Sequence, residues 1–230
     1  MRVLLVVSGK GGVGKSTVAI GLAQGLVRRG YRVGLLDADL ENPCLPVLAA
    51  ATRPGIQTDG KLAPAQAHGL AVFSIGASMD RDLPVLVGEQ MKVGIVEEML
   101  RGIDWGELDY LVIDTPPGSS AEVKTIITNS HEVAGAIVVT HPSEVSYFAV
   151  RRTFGMLQKY QVRVLGVVEN MTGEHFGSGA GDKLANLCGT QVLARIPLTT
   201  SIRECGDRSE ELPAEPFDGL VEEVMKCLLL

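Results

Sequence analysis

Ser8-Gly9-Lys10-Gly11-Gly12-Val13-Gly14-Lys15-Ser16-Thr17 stands directly behind the apolar run Val3-Leu4-Leu5-Val6-Val7 and ahead of a stretch with helical periodicity. Gly9 and Gly14 followed by Lys15 and Ser16 satisfy the spacing of a phosphate-binding loop, and a buried strand before it and an amphipathic helix after it supply the context that spacing needs. Anion chemistry accounts for the residue types. Glycines let the backbone turn its N–H groups inward as a nest, and the following helix adds its positive end. Lys15 then reaches the β- and γ-phosphates, and the Ser16 hydroxyl is placed to ligate Mg²⁺. A plain strand-to-helix turn would need neither Lys15-Ser16 nor Lys10.

Outward from the loop, residues 2 to 8 read as a strand and Lys15 to Arg29 as a helix, with Ala19, Leu22, Ala23, Leu26 and Val27 on one face and Gly30 as its stop. A strand at Arg32 to Asp37 completes a βαβ unit, whose right-handed crossover makes the strands parallel and gathers ligands at their carboxyl ends. Residues 38 to 69, rich in Pro, Gly and Ala, read as a loop with a short helix at the apolar piece Leu45 to Ala51. The alternation then resumes. Strands are expected at Gly69 to Gly76, Tyr110 to Asp114, Gly135 to Thr140, Val162 to Val168 and Gln191 to Ile196. Helices are expected at Gly88 to Arg101, Ala121 to Asn129, Glu144 to Tyr160, Asp182 to Leu187 and Phe217 to Leu229. This rhythm predicts an α/β fold, a doubly wound and mostly parallel sheet flanked by helices, as one domain over residues 1–230.

Composition agrees with that architecture. Hydrophobic residues make up 46% of the 230 and aromatics only 4%, so burial must come from Val, Leu, Ile and Ala, as in parallel strands covered on both faces. A net charge of −6 disfavours general nucleic acid binding. No long apolar run or charged leader is present, so a cytoplasmic protein without membrane insertion is expected. The apolar stripe Leu220, Val221, Val224, Met225, Leu228 and Leu229 on the last helix has an acidic opposite face, which anionic lipid would repel, and is expected to dock on the sheet. His68, His131, His141 and His175 are scattered without ligand spacing and read as structural or surface residues. The four cysteines, Cys44, Cys188, Cys205 and Cys227, form no Cys-x-x-Cys pair and read as thiols in packing roles.

Three carboxylates fall where strands end. Asp37 and Asp39 close the second strand, and Asp114 closes Tyr110-Leu111-Val112-Ile113, at the sheet edge that carries the phosphate loop. Asp114 is the candidate to hold Mg²⁺ directly or through water. Of Asp37 and Asp39, one is expected to support the metal shell and the other to orient an attacking water. A helix cap or turn is the competing role for any single aspartate; three together at one edge beside a phosphate loop argue against it.

Gly9-Lys10-Gly11-Gly12-Val13-Gly14-Lys15-Ser16 resembles the deviant Walker A motif of the MinD/ParA-type ATPases, with Lys10 as the extra lysine. Leu35 to Asp39 with Asn42-Pro43, the stretch Asp104-Trp105-Gly106-Glu107-Leu108-Asp109-Tyr110 running on to Gly118, and Gly166 to Met171 look most like the Mrp/ApbC branch. The resemblance implies a Mg-dependent ATP hydrolase that forms an ATP-sandwich homodimer, with Gly9 to Thr17 around the nucleotide and Lys10 reaching across to the partner's phosphates. It implies that Asp39 positions water, that Asp37 supports the metal, and that Asn170 and the turn at Pro197 wall the adenine. Mrp-type proteins in iron–sulfur work usually carry a Cys-x-x-Cys pair after Glu-Asn-Met. Here that segment is Met171-Thr172-Gly173-Glu174-His175-Phe176-Gly177-Ser178-Gly179, without cysteine. An iron–sulfur cluster is therefore a disfavoured ligand, with Cys44 as the remaining candidate to bridge one. Two cargo classes follow: cluster assembly or carriage, and a MinD/ParA-type positioning or regulatory switch acting through an unknown protein partner.

Overall fold

A strand of continuous Val and Leu has no solvent face and belongs in the middle of a sheet covered on both sides. The computed structural model, which describes residues 1–57, 60–78 and 88–229, places β1 (Arg2–Ser8) there, with Val3 to Ser8 all buried. In chain order follow α1 (Lys15–Arg28), β2 (Val33–Asp37), α2 (Leu45–Leu48), β3 (Gly55–Ile56), β4 (Leu62–Ala63), β5 (Ala65–Ala67), β6 (Leu70–Ser74) and α3 (Glu89–Gly102). The second half runs β7 (Tyr110–Asp114), α4 (Ala121–Asn129), β8 (Val133–Thr140), α5 (Glu144–Lys159), β9 (Val164–Thr172), α6 (Ala180–Cys188), β10 (Val192–Pro197), α7 (Thr200–Asp207) and α8 (Ala214–Leu229).

Eight strands form one sheet in the order β10-β9-β8-β1-β7-β2-β6-β5. All neighbours are parallel except β5, which pairs antiparallel with β6 at the edge. The expected doubly wound sheet is thus the one found. Alternate residues of β1 feed separate cores. Leu4 and Val6 join Leu35, Val112, Ile137 and Val139 beneath α1 and α8. Val3, Leu5 and Val7 join Leu36, Ile113 and Val138 on the opposite face, with Val96 of α3, Ile126 of α4 and Leu157 of α5. The α8 stripe docks as expected, burying Phe217, Leu220, Val221, Val224, Cys227 and Leu228, although Leu229 at its end is 85% exposed. Among the described residues no helix is long and apolar enough to cross a membrane.

The differences from expectation lie where the pattern is weak. Residues 38 to 69 hold more than a loop with one helix: β3 and β4 pair as a small antiparallel ribbon, and β5 adds an edge to the main sheet. Residues 58–59 of that stretch lie outside the described residues, as do 79–87. The helix after Leu45 is shorter than the apolar piece, ending at Leu48. Strand β9 runs on to Thr172, four residues past the expected Val168, because β10 pairs alongside it through Asn170 and Thr172. Helix α7, absent from the expectation, is capped by the Thr199 hydroxyl, which accepts from the Ile202 N–H at 3.3 Å.

Candidate functional site

The parallel register brings the acidic strand ends together. Asp114 at the end of β7 lies opposite Val6 of β1 on one side and Asp37 of β2 on the other. Loops leaving these carboxyl ends share one crevice, where ligands of such sheets bind. The Thr115-Pro116-Pro117-Gly118 break folds back on the same edge: the Thr115 hydroxyl donates to the Val6 carbonyl at 3.0 Å, and the Gly118 N–H to the Ser8 carbonyl at 2.8 Å.

The glycine-rich loop has the backbone its sequence calls for. Gly12 and Gly14 sit at φ of 77° and 76°, in the left-handed region where a side chain is strained. At Gly14 a Cβ would also come within 2.1 Å of the Asn170 amide nitrogen. Helix α1 starts at Lys15 with no side chain capping its first turn, so its leading N–H groups remain available to an anion. Lys15 Nζ donates to Asp114 Oδ1 at 2.5 Å, with the two side chains 7% and 0% exposed. Asp114 Oδ2 is buried without a hydrogen-bond donor. A buried carboxylate oxygen left without a donor beside the Ser16-bearing loop fits a hard divalent cation such as Mg²⁺.

Asp37 and Asp39 take different positions. Asp37 is buried, and its Oδ2 accepts from the Leu45 N–H at 3.2 Å and the Ser74 hydroxyl at 3.0 Å, while Oδ1 accepts from the Asp39 N–H at 3.2 Å. Burial first, and the Asp114 carboxylate second, push Asp37 up to about 8. Asp37 therefore pins the turn that presents Asp39. The Asp39 carboxylate accepts from the Asn42 N–H at 3.1 Å and lines the phosphate cavity with Lys10, Lys15 and Ser16. Its pKa is also raised, chiefly by burial and against the pull of Lys15.

Two cavities meet at Thr17 and Leu48: one of about 280 Å³ at the loop, and one of about 530 Å³ walled by Asn170, Met171, Pro197 and α7. The expected strand, ending at Val168, leaves Asn170 just beyond it. Asn170 lies within β9, 5% exposed, and its amide nitrogen donates to the Val13 carbonyl at 2.9 Å, so it also buttresses the loop. With its nitrogen engaged there, the amide oxygen is the group left to accept from a base amino group.

His141 makes a contact that its reading as a structural or surface residue did not include. It follows β8, and its Nε2 lies 2.9 Å from the Nζ of Lys10, a residue that lines the phosphate cavity. The two residues are far apart in sequence and are brought together by the β8–β1 pairing, so no spacing signal existed to find. Cys44 is surface-exposed and donates to the Asn42 carbonyl at 3.2 Å. Its partial burial, then the carboxylates of Asp37, Asp114 and Asp39, push its thiol up. Among the described residues no group of three or more His, Cys, Asp or Glu is arranged to hold a metal ion.

The chain matches, over residues 1–228, the ParA family model described as NUBPL iron-transfer P-loop NTPase. It is 40% identical over 222 residues to an iron-sulfur cluster carrier protein of Pseudomonas fragi, covering 91% of this chain and 77% of that protein. It is 38% identical over 223 residues to the iron-sulfur cluster carrier protein of Synechocystis, covering 90% of this chain and 63% of the relative. Among solved structures it resembles a nucleotide-binding protein of Archaeoglobus fulgidus in complex with ADP, at 31% identity and a TM-score of 0.76, over 94% of this chain and 91% of that one.

Proposed function

We propose, because this chain belongs to the ParA family of NUBPL-type iron-transfer P-loop NTPases, that its 230 residues act as one Mg-dependent ATPase domain. In this reading it closes as a homodimer around ATP and uses the hydrolytic cycle to switch a cargo or partner interaction. The observation that carries the reading is the crevice itself: an open helix start at Lys15, the Lys15–Asp114 pair and Asp39 converge at one sheet edge.

Each residue has a role in water attack on the γ-phosphate. The amides of Gly9 to Thr17 and the Lys15 ammonium hold the phosphates; on binding, Lys15 exchanges its Asp114 contact for phosphate oxygens. Ser16 and Asp114 would hold Mg²⁺, with Asp37 bracing the strand ends behind them. When bound, Mg²⁺ neutralises charge on the β- and γ-phosphate oxygens. Asp39 orients the water. Lys10 completes the charge stabilisation only when two copies meet, so hydrolysis is gated by assembly. The base fits between Asn170 and the turn at Pro197, whose cavity continues from the phosphate loop.

Asp39→Ala is the direct test. The variant should bind ATP with near wild-type affinity, lose roughly 10²-fold or more in turnover, and accumulate as a dimer in ATP by size-exclusion chromatography. Unchanged hydrolysis would overturn the role given to Asp39.

The iron–sulfur role is drawn from relatives named as cluster carriers, while this chain has no cysteine between Met171 and Gly179. We assign the cargo contact to a protein partner rather than to a cluster bridged by this chain. Anaerobic reconstitution with ferrous iron and sulfide should then give no visible charge-transfer absorption. A stable brown protein with that absorption would return the cluster to the chain and Cys44 to the bridge.

A further inference from the structure

We propose that His141 is the positioning residue of Lys10: it fixes where the assembly lysine offers its charge. This rests on the ATPase reading above and adds a part to it. An ammonium can only donate, so at 2.9 Å from Lys10 Nζ the imidazole Nε2 must be the acceptor. Nδ1 then carries the ring proton and donates to the Ser146 hydroxyl at 3.2 Å. Ser146 is 1% exposed in the first turn of α5, so the ring is held between the Lys10 ammonium and a buried hydroxyl that accepts its remaining proton. The Phe176 ring, from the loop after β9, lies stacked beside the imidazole with centroids 6.3 Å apart.

The lysine's own end is anchored to the same helix. The Ser8 hydroxyl donates to the Lys10 carbonyl at 3.0 Å, and the Thr153 hydroxyl of α5 donates to the Ser8 carbonyl at 3.4 Å. At Gly9 a Cβ would come within 2.3 Å of the Val150 nitrogen, so the loop lies directly against the α5 backbone. Both ends of the Lys10–His141 contact thus ride on α5. A lysine with four rotatable bonds loses its freedom before a partner arrives, and the cost of ordering it is removed from the step that needs it. The ammonium keeps two further N–H donors for a partner's phosphate oxygens.

Steady-state hydrolysis of Mg-ATP by wild type, His141→Ala, His141→Gln, Lys10→Ala and the His141→Ala/Lys10→Ala double variant tests this. His141→Ala should lower kcat roughly tenfold to a hundredfold with KM for ATP nearly unchanged. His141→Gln should recover most of that loss, because its amide oxygen accepts from the ammonium. In the Lys10→Ala background, His141→Ala should have no further effect. Wild-type kcat in His141→Ala, failure of the glutamine to rescue, or an equal loss without Lys10 would each overturn the assignment while leaving the ATPase reading in place. A wild-type protein that hydrolyses no ATP would overturn both.

Discussion

Lys15→Met is expected to abolish ATP turnover and to lower stability by about 3–5 kcal/mol, the cost of removing one partner of a buried ion pair. The size of the second effect comes from the surroundings. Asp114 is fully buried, lies opposite Asp37 in the register, and has Lys15 as the cation on its Oδ1. Removing that ammonium leaves two buried carboxyl groups side by side without it, at the meeting point of three central strands. The same substitution takes from the loop the charge that grips the β- and γ-phosphates. The two losses separate in the double variant Lys15→Met/Asp114→Asn, which removes the charge along with its partner. Chemical denaturation should show most of the stability restored, with ATP turnover still absent. If Lys15→Met unfolded at the wild-type denaturant midpoint, the pair would be no part of the structural core.

How far the sequence could lead is set by how local each signal is. The phosphate loop and β1 were legible because one short window holds a buried strand, a glycine turn and a helix start, and Asp114 because an apolar run, Tyr110 to Ile113, ends in it. The docking of α8 was legible from its acidic outer face. In contrast, β5 is Ala-Gln-Ala, three residues too few for alternation to register and without a β-branched side chain; it forms because β6 leaves an edge of unpaired backbone to satisfy. Helix α7 did carry a readable sign in Thr199, a good capping residue, but it has little apolar surface to mark a buried face. The end of β9 was underestimated because Glu169 and Asn170 are polar. Glu169 is buried all the same, its carboxylate accepting from the Gly179 and Gly181 N–H groups and pairing with Arg195. The Asn170 amide nitrogen likewise has a buried partner in the Val13 carbonyl. His141 lay beyond any such reading, since its partner Lys10 arrives from the distant loop after β1.

Lys10→Ala and Asp39→Ala, each inactive alone, are expected to regain activity when mixed. The single Lys10→Ala change should cost about 10³-fold or more in kcat, the scale of a cation supplied in trans to a phosphoryl group. In the proposed sandwich each site takes Lys15 and Asp39 from one protomer and Lys10 from its partner. A mixed dimer therefore has one site damaged twice and one site with every group intact. Equal amounts, allowed to exchange before ATP is added, give mixed dimers in half of the population, each with one working site of two. Turnover should thus return to about a quarter of wild type, as two-fold symmetry requires. The His141 contact makes the experiment decisive, because it lies within one chain and could suggest that Lys10 serves its own loop. Were that so, each chain would carry its own complete defect, no mixed dimer would contain an intact site, and the mixture would stay as inactive as its parts. Recovery on mixing requires instead that the lysine held by His141 in one subunit be delivered to the phosphates in the other.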